Sequence, residues 1–157
     1  MQPAYTFKPI GLIRSPFTDR EGMPIQAVRS DAPGRVEMDG AYVKGLLDIE
    51  GFSHLILLYV FHRIEEPELI IRPFLDDQPH GVFATRHPAR PNPIGLSVVE
   101  LIEHDGNVLY IRGVDVLDST PLLDIKPYVP QFDHHTVTRT GWLKGQEDRR
   151  PWQSHYK

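Results

Sequence analysis

Cysteine is absent from the 157 residues, which excludes disulfides, thiolate nucleophiles and Cys-based zinc or iron sites and fits a reducing compartment. Long apolar runs are missing too. The longest, Leu55 to Phe61, falls far short of the roughly 20 residues that span a bilayer, and the N-terminal MQPAYTFKP has no apolar signal-peptide stretch. A soluble, cytoplasmic protein is the expectation. Neither charge dominates: 17 Lys+Arg against 21 Asp+Glu leave a formal charge of −4. That balance argues against indiscriminate nucleic-acid binding but leaves room for a local basic patch. GxGxxG, GxSxG, HExxH and the Walker phosphate loop are all lacking, which lowers the standing of Rossmann dehydrogenases, serine hydrolases, zincins and P-loop enzymes.

What is present suffices for one domain with its own core, since 40% of the residues are hydrophobic and 24% charged. Prolines number 15, spread along the chain, so long helices are not expected. Tyr5 to Arg14 reads as a first strand, Thr18 to Pro33 as a polar surface loop, and Gly34 to Met38 as a short strand. Ala41 to Ile49 spaces Val43, Leu46 and Leu47 as a short helix ending near Gly51. His54 to His62 is apolar on both faces, which predicts a central strand covered on both sides by sheet, helix or a partner subunit. Glu68 to Phe74 is a further candidate strand.

Leu96 to His104 and Val108 to Val116 flank Asp105-Gly106-Asn107 and predict a hairpin. Strict alternation in its second arm places Val108, Tyr110, Arg112, Val114 and Val116 on one face. Leu109, Ile111, Gly113 and Asp115 fall on the other, so Asp115 ends an apolar face. The pattern predicts a mainly β fold: a small, single-domain, barrel-like sheet of five or six strands with one or two short helices, not a Rossmann alternation. Residues 1–143 read as that domain and 144–157 as a polar tail or docking arm.

Chemistry concentrates in two segments. GVFATRHPARPNPIGLS, Gly81 to Ser97, sets Arg86, Arg90 and Asn92 among Pro88, Pro91 and Pro93, with no acidic residue. Proline restraint lowers the entropy lost when such a loop binds, and guanidinium forks suit a carboxylate or phosphate. A rigid connector whose arginines pair with surface acids is the alternative. LDSTPLLDIKPY, Leu117 to Tyr128, begins with Asp118-Ser119-Thr120-Pro121, a turn whose carboxylate caps its own amides or offers itself to a nucleoside-like ligand. Asp124 and Lys126 share a face of an extended segment, as a weak ion pair or as part of a site. His62 and Arg63 follow the apolar strand directly, at an end where sites are commonly assembled. Asp133-His134-His135 lacks accompanying carboxylate clusters and reads as an exposed polar corner, so no metal is expected.

GLIRSPF at Gly11 to Phe17, FSHLILLYVFH at Phe52 to His62, and the two segments just described resemble the TrmO family of tRNA adenosine N6-methyltransferases, also described as TsaA-like or YaeB-like. The resemblance implies a small β-barrel methyltransferase that uses S-adenosylmethionine, acts as a homodimer and methylates N6 of threonylcarbamoyladenosine beside the anticodon of tRNA. It implies cofactor contacts at Gln26, Ala27 and Val28, at His62 and Arg63, at Arg86, and at Asp118, Ser119, Thr120 and Pro121. Arg90, Asn92, Lys126 and Tyr128 would face the modified nucleoside, and Asp124 is the candidate proton acceptor. In this division Arg86 serves the cofactor and Arg90 the RNA. The family's usual Asp-Gly-Thr-Pro is here Asp-Ser-Thr-Pro, so Ser119 stands where the backbone often has glycine. Two alternatives stay open: a methyltransferase of this fold with a non-tRNA acceptor, and a non-catalytic module binding an adenosine-like ligand or a protein.

Overall fold

The computed structural model describes residues 2–19, 21–24, 30–73, 76–145 and 153–155. Six antiparallel strands close a barrel in the order β1 (Gly11–Arg14), β3 (Pro33–Met38), β8 (Val108–Arg112), β7 (Ile94–Asp105), β4 (His54–Val60) and β9 (Thr120–Pro127), β9 pairing back to β1. Strand alternation fills the interior. Leu55, Leu57 and Tyr59 of β4 point inward with Ile13, Val36, Val99, Leu109, Ile111 and Leu122, each 4% exposed or less. On the outer face of β4, Ile56, Leu58 and Val60 are only half-buried, so the barrel interior supplies one of the two covered faces that the apolar run predicts.

The hairpin forms where expected. Asp105 faces Val108 across a two-residue turn, and Gly106 takes a φ of 60°, a conformation that suits glycine. Alternation in the second arm stops at Gly113, whose φ of 97° reverses the side-chain order. Val114 and Val116 are therefore buried along with Leu109 and Ile111 rather than lying on the opposite face.

Other expectations change in detail. The helix over 41–49 is a pair of 3-10 segments, Gly40–Leu46 and Ile49–Gly51, the first capped by Asp39, whose carboxylate accepts from Ala41 N. Among the described residues of the 68–74 segment only Ile70–Ile71 (β5) is strand, and it pairs with β6 (His80–Gly81). The segment read as a loop over 18–33 contains β2 (Glu21–Pro24), which pairs with β10 (Gln153–His155) from the segment read as a tail. Backbone ladders of this length carry no side-chain periodicity to be read. A single four-residue α-helix, α1 (Pro130–Asp133), occurs among the described residues. No helix among them is long and apolar enough to cross a membrane.

Candidate active site

A cavity of about 280 Å³ opens at the end of the barrel where β4 finishes and β7 begins, and residues of the β8–β9 link also line it. That volume lies just below the usual range of small-molecule sites, roughly 300–1,000 Å³. Tyr59, Phe61, Ile94, Leu96, Val116 and Leu117 supply apolar walls, and His62, Arg63, Arg86 and Arg90 bring positive or polar groups to its lining. Asp115 is the one carboxylate among the lining residues.

Backbone contacts explain why these groups meet. Phe61 N donates to the Pro93 carbonyl at 2.8 Å, so the exit from β4 and the proline-rich entry into β7 are joined side by side. His62 and Arg63 thus lie beside Ile94, Gly95 and Leu96. Gly95 is required by that packing, because a Cβ there would stand 2.7 Å from Tyr59 Cζ and 2.8 Å from Phe61 Cζ. The two rings meet edge to face, with centroids 5.6 Å apart.

The 82–90 loop is held from within by Arg90. Its Nη1 donates to the carbonyls of Val82, Thr85 and His87 at 3.1, 2.8 and 3.2 Å, and its guanidinium carbon stands 5.9 Å from the centroid of the exposed Phe83 ring. Thr85 adds a second fastening, its hydroxyl donating to the Val82 carbonyl and accepting from His87 N. From outside, Trp142 Nε1 donates to the Ala84 carbonyl at 2.7 Å while its ring stacks on His80, centroids 4.9 Å apart. Arg86, on this braced loop, is exposed at the cavity.

The turn over 118–121 is bound to the end of β1. Ser15 N donates to Asp118 Oδ1 at 3.1 Å, and Arg14 Nη1 donates to Ser119 Oγ at 2.6 Å and lies 3.7 Å from Asp118 Oδ2. Ser119 adopts a φ of 66°, the left-handed conformation that glycine takes without cost. Thr120, 3% exposed, closes the turn by donating to the Leu117 carbonyl at 2.6 Å and lines the cavity. His62 has its pKa pulled below the usual 6.5, first by loss of solvent around the ring and then by the charge of Arg63. At pH 7 the imidazole is neutral.

His62, Arg63, Arg86, Arg90 and Thr120 therefore converge on one cavity, with the 118–121 turn beside it. Asn92, exposed on the proline loop, accepts from Ile94 N through its backbone carbonyl at 2.7 Å. Asp124 and Lys126 lie outside the cavity lining on the outer surface of β9, where they pair with each other at 2.9 Å. Leu58 separates Asp124 from Leu96 in the β9–β4–β7 register. Lys126 has its pKa raised by the hydrogen bond and charge of Asp124. Tyr128 follows β9, its N donating to the His54 carbonyl at 3.0 Å. Gln26, Ala27 and Val28 lie outside the described residues.

Of the other basic residues, Arg14 and Arg35 meet Glu37, and Arg72 donates to the Asp77 carbonyl. Asp133, His134 and His135 are exposed, and no group of three metal-binding side chains occurs among the described residues. Sequence reasoning missed Tyr59, Gly95 and Ser97, whose polar or small character inside apolar strands is the signal that marks them, and Leu96, which carries no such signal.

A family model described as the tRNA-methyltransferase O N-terminal domain matches residues 12–134. The chain belongs to this family. It is 55% identical over 139 residues to a probable S-adenosyl-L-methionine-binding protein of Pyrococcus abyssi, covering 88% of this chain and 76% of that one. It is 37% identical over 134 residues to a mouse tRNA (adenine(37)-N6)-methyltransferase, covering 80% of this chain and 31% of the mouse protein. A crystal structure of TrmO from Pseudomonas aeruginosa superposes with a TM-score of 0.77 at 36% identity, covering 91% of this chain and 63% of that one. The chain thus spans less than two thirds of the solved TrmO and about a third of the mouse enzyme.

Proposed function

We propose that this chain is an S-adenosylmethionine-dependent methyltransferase acting on N6 of an adenosine in tRNA, the threonylcarbamoyl adenosine beside the anticodon being the acceptor. The observation that carries the reading is the cavity of a TrmO-family barrel whose lining brings three arginines and one carboxylate together among apolar residues. Those residues fit the cofactor's chemistry. Arg86 and Arg63 suit its carboxylate, Asp115 suits a cation, and Ile94, Leu96 and Leu117 offer an apolar seat for the adenine. When bound, the cofactor supplies an electrophilic methyl group on a sulfonium sulfur.

The chain's own contribution is positioning. A loop braced by Arg90 and Trp142, and a turn bound to Arg14 and Ser15, hold the ligand-facing groups with little freedom left to lose. Neutral His62 adds no further cation beside Arg63. Arg90, Asn92, Lys126 and Tyr128 are assigned to the modified nucleoside, with Lys126 meeting its threonyl carboxylate and Tyr128 stacking on the base. Asp124 is assigned as acceptor of the N6 proton. For these roles the Asp124–Lys126 pair must open towards the substrate. The turn residues Asp118, Ser119, Thr120 and Pro121, with Gln26, Ala27 and Val28, complete the proposed cofactor contacts.

The same proposal includes a homodimer and a cytoplasmic setting, which the family resemblance implies. A second reading keeps the methyltransferase and replaces tRNA by a smaller anionic acceptor. It is favoured by the net charge of −4 and by the pairing of Arg14, Arg35 and Lys126 with acids outside the cavity. Calorimetric titration with S-adenosylmethionine, followed by a transfer assay on threonylcarbamoylated and unmodified tRNA, tests both. Methylation of the modified tRNA alone supports the first reading, cofactor binding without transfer to either tRNA supports the second, and no binding by the folded protein refutes both.

A further inference from the structure

We infer that Asp115 is the residue by which this chain recognises a permanent positive charge on its ligand, the sulfonium of S-adenosylmethionine, and so distinguishes the cofactor from its demethylated product. The inference rests on the cofactor reading above and extends it to a residue that lines the cavity.

Three polar groups from three separate elements meet there inside an apolar barrel. Ser97, on β7 and 4% exposed, donates its hydroxyl to Asp115 Oδ1 at 2.5 Å. Tyr59, on β4 and also 4% exposed, lies 2.7 Å from Ser97 Oγ. Since the single Ser97 hydrogen is directed to Asp115, the Tyr59 hydroxyl is the donor of the second bond. Both hydrogens thus point along the chain towards the carboxylate, an arrangement that suits an ionised acceptor.

A buried hydroxyl pair in a barrel core is costly unless satisfied, and apolar side chains would serve the fold as well. What the pair accomplishes is to hold a negative charge at the cavity wall. The link carrying Asp115 is itself set by its neighbours, Val114 at 1% and Val116 at 6% exposure, after the turn at Gly113. Arg63 and Arg86, the groups assigned to the cofactor's carboxylate, line the same cavity. A zwitterion-bearing ligand anchored there has one charge that cannot be lost by deprotonation. That sulfonium charge gains from a carboxylate fixed among apolar walls, whereas a neutral thioether gains nothing from it.

The test is calorimetric affinity for S-adenosylmethionine, S-adenosylhomocysteine and sinefungin, which carries an ammonium in place of the sulfonium. Wild-type protein is expected to bind the two cationic ligands more tightly than the thioether. In Asp115→Asn, which keeps shape and an acceptor for Ser97, the cationic ligands are expected to weaken on the order of 10- to 100-fold and the thioether by less than about 3-fold. Ser97→Ala, which keeps the charge and loosens its anchor, is expected to narrow the preference partly. Equal losses for all three ligands in Asp115→Asn would mean a bracing role and overturn the inference. Should that variant fail to fold by circular dichroism, the wild-type series decides alone, and equal affinities for cation and thioether refute the proposal. Wild-type protein that binds none of the three defeats the cofactor reading itself, before any variant is made.

Discussion

Replacing Arg90 by Met removes the guanidinium that holds the 82–90 loop together while keeping much of the side chain's bulk. Three carbonyls lose a donor, of which Val82 O keeps Thr85 N and the Thr85 hydroxyl as partners. Thr85 O and His87 O each lose a charge-assisted bond. Such bonds contribute about 1.5–3 kcal/mol when shielded, and Arg90 is half-buried, so about 1 kcal/mol apiece is the appropriate scale. The loop should therefore lose about 2 kcal/mol. For a domain of this size that corresponds to a fall in melting temperature of roughly 4–8 °C if the loop unfolds with the barrel. Because Thr85, Arg86 and Pro88 line the cavity from this loop, the same 2 kcal/mol enters ligand binding as roughly a 30-fold loss of S-adenosylmethionine affinity. A division in which Arg86 serves the cofactor and Arg90 only the RNA predicts no such loss. Differential scanning calorimetry and isothermal titration of the variant decide between them. Unchanged affinity together with an unchanged melting temperature would refute the bracing argument.

Gly95→Ala should abolish measurable cofactor binding, because its Cβ overlaps the Tyr59 and Phe61 rings and drives them into the cavity; wild-type affinity in titration would contradict this. At Ser119, where φ is 66°, alanine keeps the backbone strain and loses the Arg14 bond, whereas glycine loses only the bond. Urea unfolding should accordingly find Ser119→Ala less stable than Ser119→Gly by about 1 kcal/mol. His62 has a pKa below 6.5 in the folded chain, so the unfolded chain binds the proton more readily. Its stabilisation is present above pH 6.5 and is lost as the pH falls through the folded pKa, and His62→Gln should flatten the stability profile on the acid side.

Much of the barrel was legible because strand chemistry is local. The apolar run over 54–62, the Gly106-Asn107 turn and the short strand before Asp39 each carry a side-chain period or a turn residue that acts within a few positions. Where local chemistry is silent, the reading diverged. β2 and β10 are short ladders whose bonds belong to the backbone, and the register break at Gly113 depends on one φ angle that composition does not announce. The same limit applies to the site. His62, Arg63 and Arg86 could be named from their positions beside an apolar strand and among prolines, and Ser119 could be marked as a side chain at a position where glycine is usual.

The residues alone determined that the chain has no cysteine, that it is built of short strands and that arginines gather in a proline-restrained loop, since these follow from composition, period and backbone restriction. Only the tertiary structure decided what those groups meet. Arg90 turns inward to three carbonyls, Lys126 is occupied by Asp124 outside the cavity, and Asp115 reaches the cavity with Ser97 and Tyr59 behind it. The physical reason is that a site is a set of distances between groups far apart in the chain: 38 positions separate Tyr59 from Ser97 and 18 separate Ser97 from Asp115. Barrel closure, not local propensity, sets those distances.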